Sequence, residues 1–121
     1  MLYYNFYSNF KKLNIYNLPI WAQRYWERIE NECFFTLREE CEQYAGLQER
    51  YENMQDEHIF LSKIIDRDAI TEPFALEEAE VKILAQFLEI MADKREIEEM
   101  KIYMLGCRDT YRLLRGMKII E

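Results

Sequence analysis

The sequence is poor in residues that interrupt helices. Its 121 residues include only three Gly and two Pro. So few turn-forming residues allow few connections, and the elements between them must therefore be long. The glycines, Gly46, Gly106 and Gly116, are also isolated from one another. A phosphate-binding loop needs several glycines close together, so this sequence argues against nucleotide binding of that kind.

Residues that build common active sites are equally scarce. There is one His and there are three Cys, with no CxxC or CxxH spacing for zinc and no second His for a di-iron site. The nearest thiol to His58 along the predicted first helix is Cys41, too distant to form a nucleophile and base pair. We therefore expect no catalytic residues, no metal and no cofactor, and we predict that the protein is not an enzyme.

Long hydrophobic runs are absent as well. No stretch approaches the roughly 20 apolar residues of a membrane span, and the first 19 residues lack the apolar centre of a signal peptide. The odd number of cysteines favours free thiols. These features predict a cytoplasmic protein with no membrane contact. Because half of the residues are hydrophobic, we expect a folded domain rather than a disordered chain.

The apolar residues that are present recur at helical spacing. Pro19 suits the first turn of a helix, which we predict to run from there to about Asp66. Gly46 lies where the apolar stripe changes phase, so a bend or break at this glycine is the alternative to a continuous helix. The second half of the stripe consists of Tyr44, Leu47, Tyr51, Met54, His58, Leu61 and Ile65. We interpret His58 as a hydrogen-bonded core or interface residue because it lies on this stripe, and the alternative is a pH-sensitive contact.

A second helix is predicted from about Leu76 to Arg115, after a turn at residues 66–75 that contains Pro73. Gly116 predicts a left-handed residue that ends this helix. Its apolar residues repeat every seven positions, which indicates a face that packs on another helix. The main series is Ile83, Ile90, Ile97, Met104 and Tyr111, with Met100, Cys107 and Leu114 as the second core position.

Two long helices joined by a short turn fold back on each other. With the turn centred near Ile70, Tyr44 is expected opposite Ile97 and Tyr51 opposite Ile90. A two-helix hairpin buries only part of each apolar stripe, so the remainder needs the aromatic arm, a second copy of the chain or another protein to cover it. The predicted fold is all-α: an aromatic arm at residues 1–18 and a long antiparallel helical hairpin at residues 19–121, forming a dimeric helical bundle.

The formal charge of −7 is concentrated on the two predicted helices. A solvated surface is the simpler interpretation of their acidic side chains. The alternative is a negative surface that binds a basic, nucleic-acid-binding protein. Direct binding of nucleic acid is disfavoured, because the only basic cluster is the small one around Arg112. The candidate acidic binding residues are Glu39, Glu42, Glu49, Glu52, Asp56 and Glu57.

The aromatic arm has two interpretations. It packs over the open end of the hairpin, or it forms a binding edge, since exposed Tyr and Trp are good anchors at interfaces. For the second interpretation the candidate residues are Tyr3, Tyr4, Tyr7 and Trp21.

The C-terminal run from Tyr103 to Leu114, followed by Gly116 and the pair Ile119 and Ile120, carries a resemblance. It is similar to the closing segment of short helical uncharacterised proteins of bacteria and their phages, which also have a charged helical hairpin before it. The resemblance implies a helical fold and no known active site, so no functional residue is transferred from it.

These observations together predict an acidic, non-enzymatic module that binds protein. Its most concrete form is a phage or mobile-element inhibitor of a nucleic-acid-binding defence enzyme, like an anti-CRISPR protein. The alternative is a regulatory or structural coiled-coil adaptor with no nucleic-acid link. Binding through charge should weaken steeply with salt, whereas binding through apolar helix packing should not.

Overall fold

The computed structural model describes residues 17–66 and 72–120, and within these ranges it contains helices and no strand. The helices are α1 (Ile20–Glu40), α2 (Glu42–Glu57), α3 (Ile59–Ile65) and α4 (Glu78–Gly116). The prediction of an all-α fold is therefore confirmed. The predicted arm lies outside the described residues except for residues 17 and 18, and so do residues 67–71 of the predicted turn.

The chain divides into two compact units, residues 1–32 and 33–121, which we describe separately. In the first unit, the backbone carbonyl of Pro19 accepts hydrogen bonds from the amides of Ala22 and Gln23, both at 3.0 Å. Helix α1 therefore begins at Ile20, directly after Pro19 and close to the predicted start. One turn further on, the guanidinium of Arg28 lies 5.4 Å from the centre of the Tyr25 ring, a cation–π contact along the helix surface.

In the second unit, the helix predicted to continue to Asp66 is interrupted twice, and neither break is at Gly46. Cys41 and His58 adopt extended backbone angles, with φ/ψ of −113°/103° and −128°/93°. Gly46 lies inside α2, and a Cβ added there would meet no atom within 4 Å. Each break directly follows two adjacent acidic residues. Carboxylates weaken the last turn of a helix because they face the negative end of its dipole.

The N-terminus of α4 lies two residues beyond the predicted start. The Glu77 amide donates to Oε1 of Glu80 at 3.0 Å, and the Glu77 side chain accepts a hydrogen bond from the backbone amide of Glu80. This reciprocal capping box satisfies amides that have no partner within the helix. It fixes the start of α4 at Glu78.

At the other end of α4, the prediction of a left-handed Gly116 is wrong. Among the described residues it is Lys118 that has a positive φ, 59°. The Ile119 amide donates to the carbonyl of Leu114 at 2.9 Å, and the Lys118 amide donates to that of Arg115 at 3.0 Å. This pair of bonds is a Schellman motif. Gly116 is the last helical residue, and a lysine occupies the left-handed position that glycine usually takes.

Helices α2 and α4 pack against each other in opposite directions. The Tyr44 hydroxyl donates to Oε1 of Glu98 at 2.8 Å, and the Tyr51 ring stacks on Phe87 with ring centres 5.0 Å apart. The predicted partner of Tyr51 was Ile90, three residues from the observed Phe87. The Cys33 thiol, about two turns before the end of α1, lies 3.7 Å from the Glu98 carbonyl. The core of this unit consists of Cys33, Leu37, Tyr44, Leu47, Leu61, Phe87, Ile90 and Leu105.

The seven-residue series on α4 faces this core only in its first half. Ile90 is buried, but Met104 is 59% exposed and Tyr111 is 48% exposed, while Leu105 is buried instead. A straight α-helix drifts by about 20° per seven residues, so four repeats turn the series by about 80° relative to the face that packs. The expectation that the whole series lies in the core is therefore wrong for its second half.

Candidate functional site

All six predicted acidic binding residues are exposed in the structure. On α2, the seven-residue spacing of Glu42, Glu49 and Asp56 places them along one side of the helix. The buried residues Tyr44 and Leu47 lie on the opposite side. We call Glu42, Glu49, Glu52 and Asp56 the acidic stripe.

Two of the predicted acidic residues do not belong to this stripe. Glu39 lies in α1, before the break at Cys41, so α1 and α2 do not present one continuous helical surface. Glu57 is the last residue of α2, about 100° around the helix from Asp56. Within the stripe, Glu52 is oriented by a hydrogen bond from Nε2 of Gln48 at 3.0 Å.

The charge on α2 is regularly spaced but sparse. The helix has 16 residues, with five carboxylates and one cation, Arg50. At about 1.5 Å per residue it carries one net negative charge per about 6 Å, compared with about 1.7 Å in duplex DNA and about 3.4 Å in one strand. This surface can attract a basic partner, but it does not reproduce the charge density of a nucleic acid.

A polar cluster that was not predicted from the sequence links α2 to α4. Nζ of Lys94 lies 4.0 Å from the centre of the Tyr51 ring and 5.9 Å from that of the Tyr44 ring. Glu98, one turn beyond Lys94, accepts the hydrogen bond from Tyr44. The available signal was the Lys–Glu pair four residues apart on the helix face that carries Ile90 and Leu105. We call Tyr44, Tyr51, Lys94 and Glu98 the polar cluster.

Burial changes the protonation behaviour of two members of the polar cluster. The pKa of Tyr44 is raised well above its ordinary value by burial and by its hydrogen bond to Glu98. The pKa of Lys94 is lowered by burial, against the opposing attraction of Glu98 and Glu52. A lysine with a lowered pKa can act as a base or nucleophile. Here the ammonium lies against ring faces, so its contacts connect two helices.

An exposed apolar surface, separate from the core, lies on the C-terminal half of α4. Met100 and Met104 are 63% and 59% exposed, Tyr111 is 48% exposed, and Cys107 is also exposed. Their spacing of four, three and four residues places them on one side of the helix. That side lies well away from the side that buries Phe87 and Leu105. We call Met100, Met104, Cys107 and Tyr111 the apolar stripe.

An open groove adjoins the apolar stripe within the second unit. It encloses about 520 Å³ between the end of α1, the start of α2 and the middle of α4. Met100 and Met104 belong both to its wall and to the apolar stripe. Its lining mixes apolar and charged side chains, and it includes no member of the polar cluster. Its walls are formed by Leu37, Cys41, Gln43, Asp93, Glu96, Ile97, Met100, Lys101 and Met104.

The other predicted binding residues lie in or before the first unit's helix. Tyr3, Tyr4 and Tyr7 are outside the described residues. Trp21 lies in the first turn of α1 and is 64% exposed. Its role as an anchor for a partner stays a prediction.

His58 is the half-buried residue that separates α2 from α3. Its Nε2 lies 3.9 Å from a carboxylate oxygen of Glu57, and its ring tilts against Phe60 with centres 6.1 Å apart. Across residues 17–66 and 72–120, no group of three or more His, Cys, Asp or Glu side chains is placed to hold a metal ion. No helix in these ranges is both long enough and apolar enough to cross a membrane.

Comparison with known proteins places the chain in a family. A family model described as a family of unknown function, DUF6664, matches residues 13–120, and the chain belongs to this family. The match extends well beyond the C-terminal segment that carried the resemblance, and the description assigns the family no activity and no source. No curated protein and no solved structure shows significant similarity to the chain.

Proposed function

We propose that this member of DUF6664 is a non-enzymatic protein-binding module, a helical adaptor that engages its partner by helix packing. The observation that carries the proposal is the apolar stripe, which is exposed on α4 away from the side that packs on α2. Exposed contiguous apolar surface is costly in water unless a partner covers it. The proposed partners are other proteins and a second copy of the chain, in the cytoplasm, with no direct nucleic-acid or membrane binding.

The proposed framework for this function is the long antiparallel helical hairpin with its aromatic arm. The second unit supports this framework. Tyr44 of α2 contacts Glu98 of α4, and the later residue Tyr51 contacts the earlier residue Phe87, so the two helices are antiparallel. These contacts use one side of α4 only. A helix held in this way keeps its other side available for a partner helix.

Affinity capture from the source cell with matched baits tests the proposal. Met104→Lys places a charge in the apolar stripe. The matched control is Leu113→Lys, which places the same charge outside the stripe. The two side chains are nearly equally exposed, Met104 at 59% and Leu113 at 61%. Because both side chains are exposed, both variants should keep the wild-type circular dichroism. We expect wild type and Leu113→Lys to retain the same protein and Met104→Lys to lose it. Equal retention by all three baits, or by none, would refute the proposal.

The acidic stripe supports a second candidate function: an inhibitor of a nucleic-acid-binding defence enzyme, encoded by a phage or mobile element and similar in action to an anti-CRISPR protein. Glu42, Glu49 and Asp56 are exposed along one side of α2. Their charge would steer a basic surface toward the protein and speed association. The sparse spacing of this charge favours the adaptor as the first candidate.

Salt and charge variants distinguish the two candidates. For the inhibitor, capture of a basic nucleic-acid-binding protein should fall steeply as salt rises. It should also be lost when Glu42 and Glu49 are changed to Gln and Asp56 to Asn. The matched control changes three exposed acids of α4, Glu78, Glu89 and Glu99, to Gln and should retain the protein. If capture changes neither with salt nor with the substitutions in the acidic stripe, the inhibitor is excluded and the adaptor remains as the proposed function.

A further inference from the structure

The apolar stripe belongs to a seven-residue pattern that continues after α4 has turned it away from the core. One position of the repeat is occupied by Ile97, Met104 and Tyr111, and the other by Met100 and Cys107, followed by Leu114. Residues 97–114 span about 27 Å of helix. A strict repeat of this kind suits a second helix that coils around the first.

The residues that flank this pattern decide which helix fits. On one flank, the repeat places Lys101, Arg108 and Arg115. On the other, it places Glu96, Tyr103 and Thr110. In a parallel pair of helices, each residue on the second flank meets the residue five positions later in the other helix. Glu96 would then meet Lys101 of a second copy, and by symmetry this ion pair forms twice.

The antiparallel arrangement is disfavoured by the same residues. It places each flank opposite itself, so that the basic flank of one copy faces the basic flank of the other. Arg108 is already paired with Asp109 in its own chain, at 2.9 Å. Lys101 and Arg115 therefore account for most of the repulsion.

We propose that two copies of this chain pair in parallel and in register along residues 97–114 of α4. The inference deepens the proposed function by naming one partner, a second copy, and the surface that it covers. The charge complementarity of Glu96 and Lys101 selects this partner and its direction. Met100 and Met104 extend the contact to the edge of the groove. Because the paired segment is short, the dimer should be concentration-dependent.

Sedimentation equilibrium of the purified full chain tests self-association without any other protein. We expect wild type to shift from the 14.9 kDa of one chain toward twice that mass as concentration rises. Met104→Lys should remain a single chain at every concentration, and Leu113→Lys should behave as wild type. A wild type that stays at one chain throughout, or an unimpaired Met104→Lys dimer, would overturn the inference.

Charge exchange tests the direction of pairing. Glu96→Lys alone and Lys101→Glu alone should each weaken the dimer by about fivefold to tenfold, because two symmetry-related pairs change from attraction to repulsion. The double variant Glu96→Lys with Lys101→Glu should recover the wild-type dimer. Failure of the double variant to recover contradicts parallel pairing.

Disulfide cross-linking tests the register. Cys33 is fully buried and Cys107 is exposed, so with Cys41 changed to Ser the reactive thiol is Cys107. In a parallel dimer, Cys107 faces Cys107 of the second copy at a distance that a disulfide can span, about 4.4–6.8 Å between Cα atoms. With Cys107 changed to Ser, new cysteines at Met100 and at Leu114 should cross-link equally well, and one at Glu99 should not.

Cross-linking at Cys107 alone, with none at residues 100 and 114, would indicate an antiparallel pair and overturn the inference. Because both proposals use the apolar stripe, the two experiments are compared on the wild-type chain, where their outcomes differ. A chain that stays single but still retains a partner protein refutes the dimer alone. A dimer that retains no other protein refutes the adaptor alone.

Discussion

Replacing Tyr44 by Phe tests whether the polar cluster ties α2 to α4. The change removes the hydroxyl that donates to Glu98 at 2.8 Å and leaves the buried ring in place. A hydrogen bond to a charged group typically contributes about 1.5–3 kcal/mol. Glu98 is half-buried and keeps the attraction of Lys94 one turn away, so we expect a loss near the lower end of that range.

A loss of about 1.5 kcal/mol corresponds to a fall in Tm of about 6 °C for a domain of this size. Urea unfolding followed by far-UV circular dichroism measures the free energy directly. The matched control is Tyr51→Phe, because the contacts that the structure shows for Tyr51 are made by its ring. Tyr51→Phe should lower the free energy of unfolding clearly less than Tyr44→Phe does.

The pH dependence of the same difference gives a second test. Folding raises the pKa of Tyr44 above its ordinary value of 10.0, so the folded state holds the phenol proton more tightly. The stability that this supplies is present in full below pH 10 and is lost as the pH rises beyond it. The gap in unfolding free energy between wild type and Tyr44→Phe should therefore narrow above pH 10.

Lys94 has the opposite effect on how stability depends on pH. Its pKa is lowered by folding from 10.5, so its unfavourable effect is relieved as the pH rises toward that value. Because Lys94 is present in both proteins, it does not affect the comparison. A Tyr44→Phe variant as stable as Tyr51→Phe, with a gap that does not change above pH 10, would refute the role assigned to this hydrogen bond.

Three further predictions concern the helix end, the core and the thiols. Lys118→Gly should raise the free energy of unfolding by about 1 kcal/mol, because it relieves a left-handed lysine; a loss of stability in urea unfolding would contradict the Schellman assignment. Leu61→Ala should lower the free energy of unfolding by about 2–5 kcal/mol in the same assay, because Leu61 is fully buried. Ile59→Ala should leave it almost unchanged, because Ile59 is exposed. A thiol reagent should label Cys107 in the native protein and Cys33 only after unfolding, and rapid native labelling of Cys33 would exclude its buried position.

The local pattern was sufficient to predict an all-helical fold, the start of its first helix and the extent of its long last helix. Pro19 predicted the start of the first helix, and the apolar spacing around Ile90 predicted the long second helix and its packed side. Both depend on interactions between residues three or four apart, which a sequence displays directly. The approximate pairing of α2 with α4 was also within reach, because it follows from counting outward from the turn.

The candidate surfaces were only partly predictable. The acidic stripe could be recognised from the sequence, since charged residues at helical spacing opposite an apolar side are exposed. The polar cluster could be recognised only in part: Lys94 and Glu98 lie four residues apart on the apolar face of α4, but their contacts with Tyr44 and Tyr51 depend on how α2 packs there. The positions of the helix breaks were also missed. Cys41 and His58 lie on the predicted apolar pattern, whereas Gly46, the expected breaker, is accommodated inside α2.

The sequence by itself determined an all-helical chain with acidic surfaces and a long seven-residue repeat, because these depend on composition and local spacing. Only the tertiary structure decided which part of that repeat is used inside the molecule. The α-helix has 3.6 residues per turn, while the seven-residue repeat has a period of 3.5. The side that carries the repeat therefore rotates gradually away from the side that packs as α4 proceeds. By Met104 the residues of the repeat are largely exposed, while Leu105 is buried in their place. That small difference in period amounts to about 40° from the buried Ile90 to the exposed Met104 and about 80° from Ile83 to Tyr111, and it contributes to the exposed apolar stripe on which the proposed function depends.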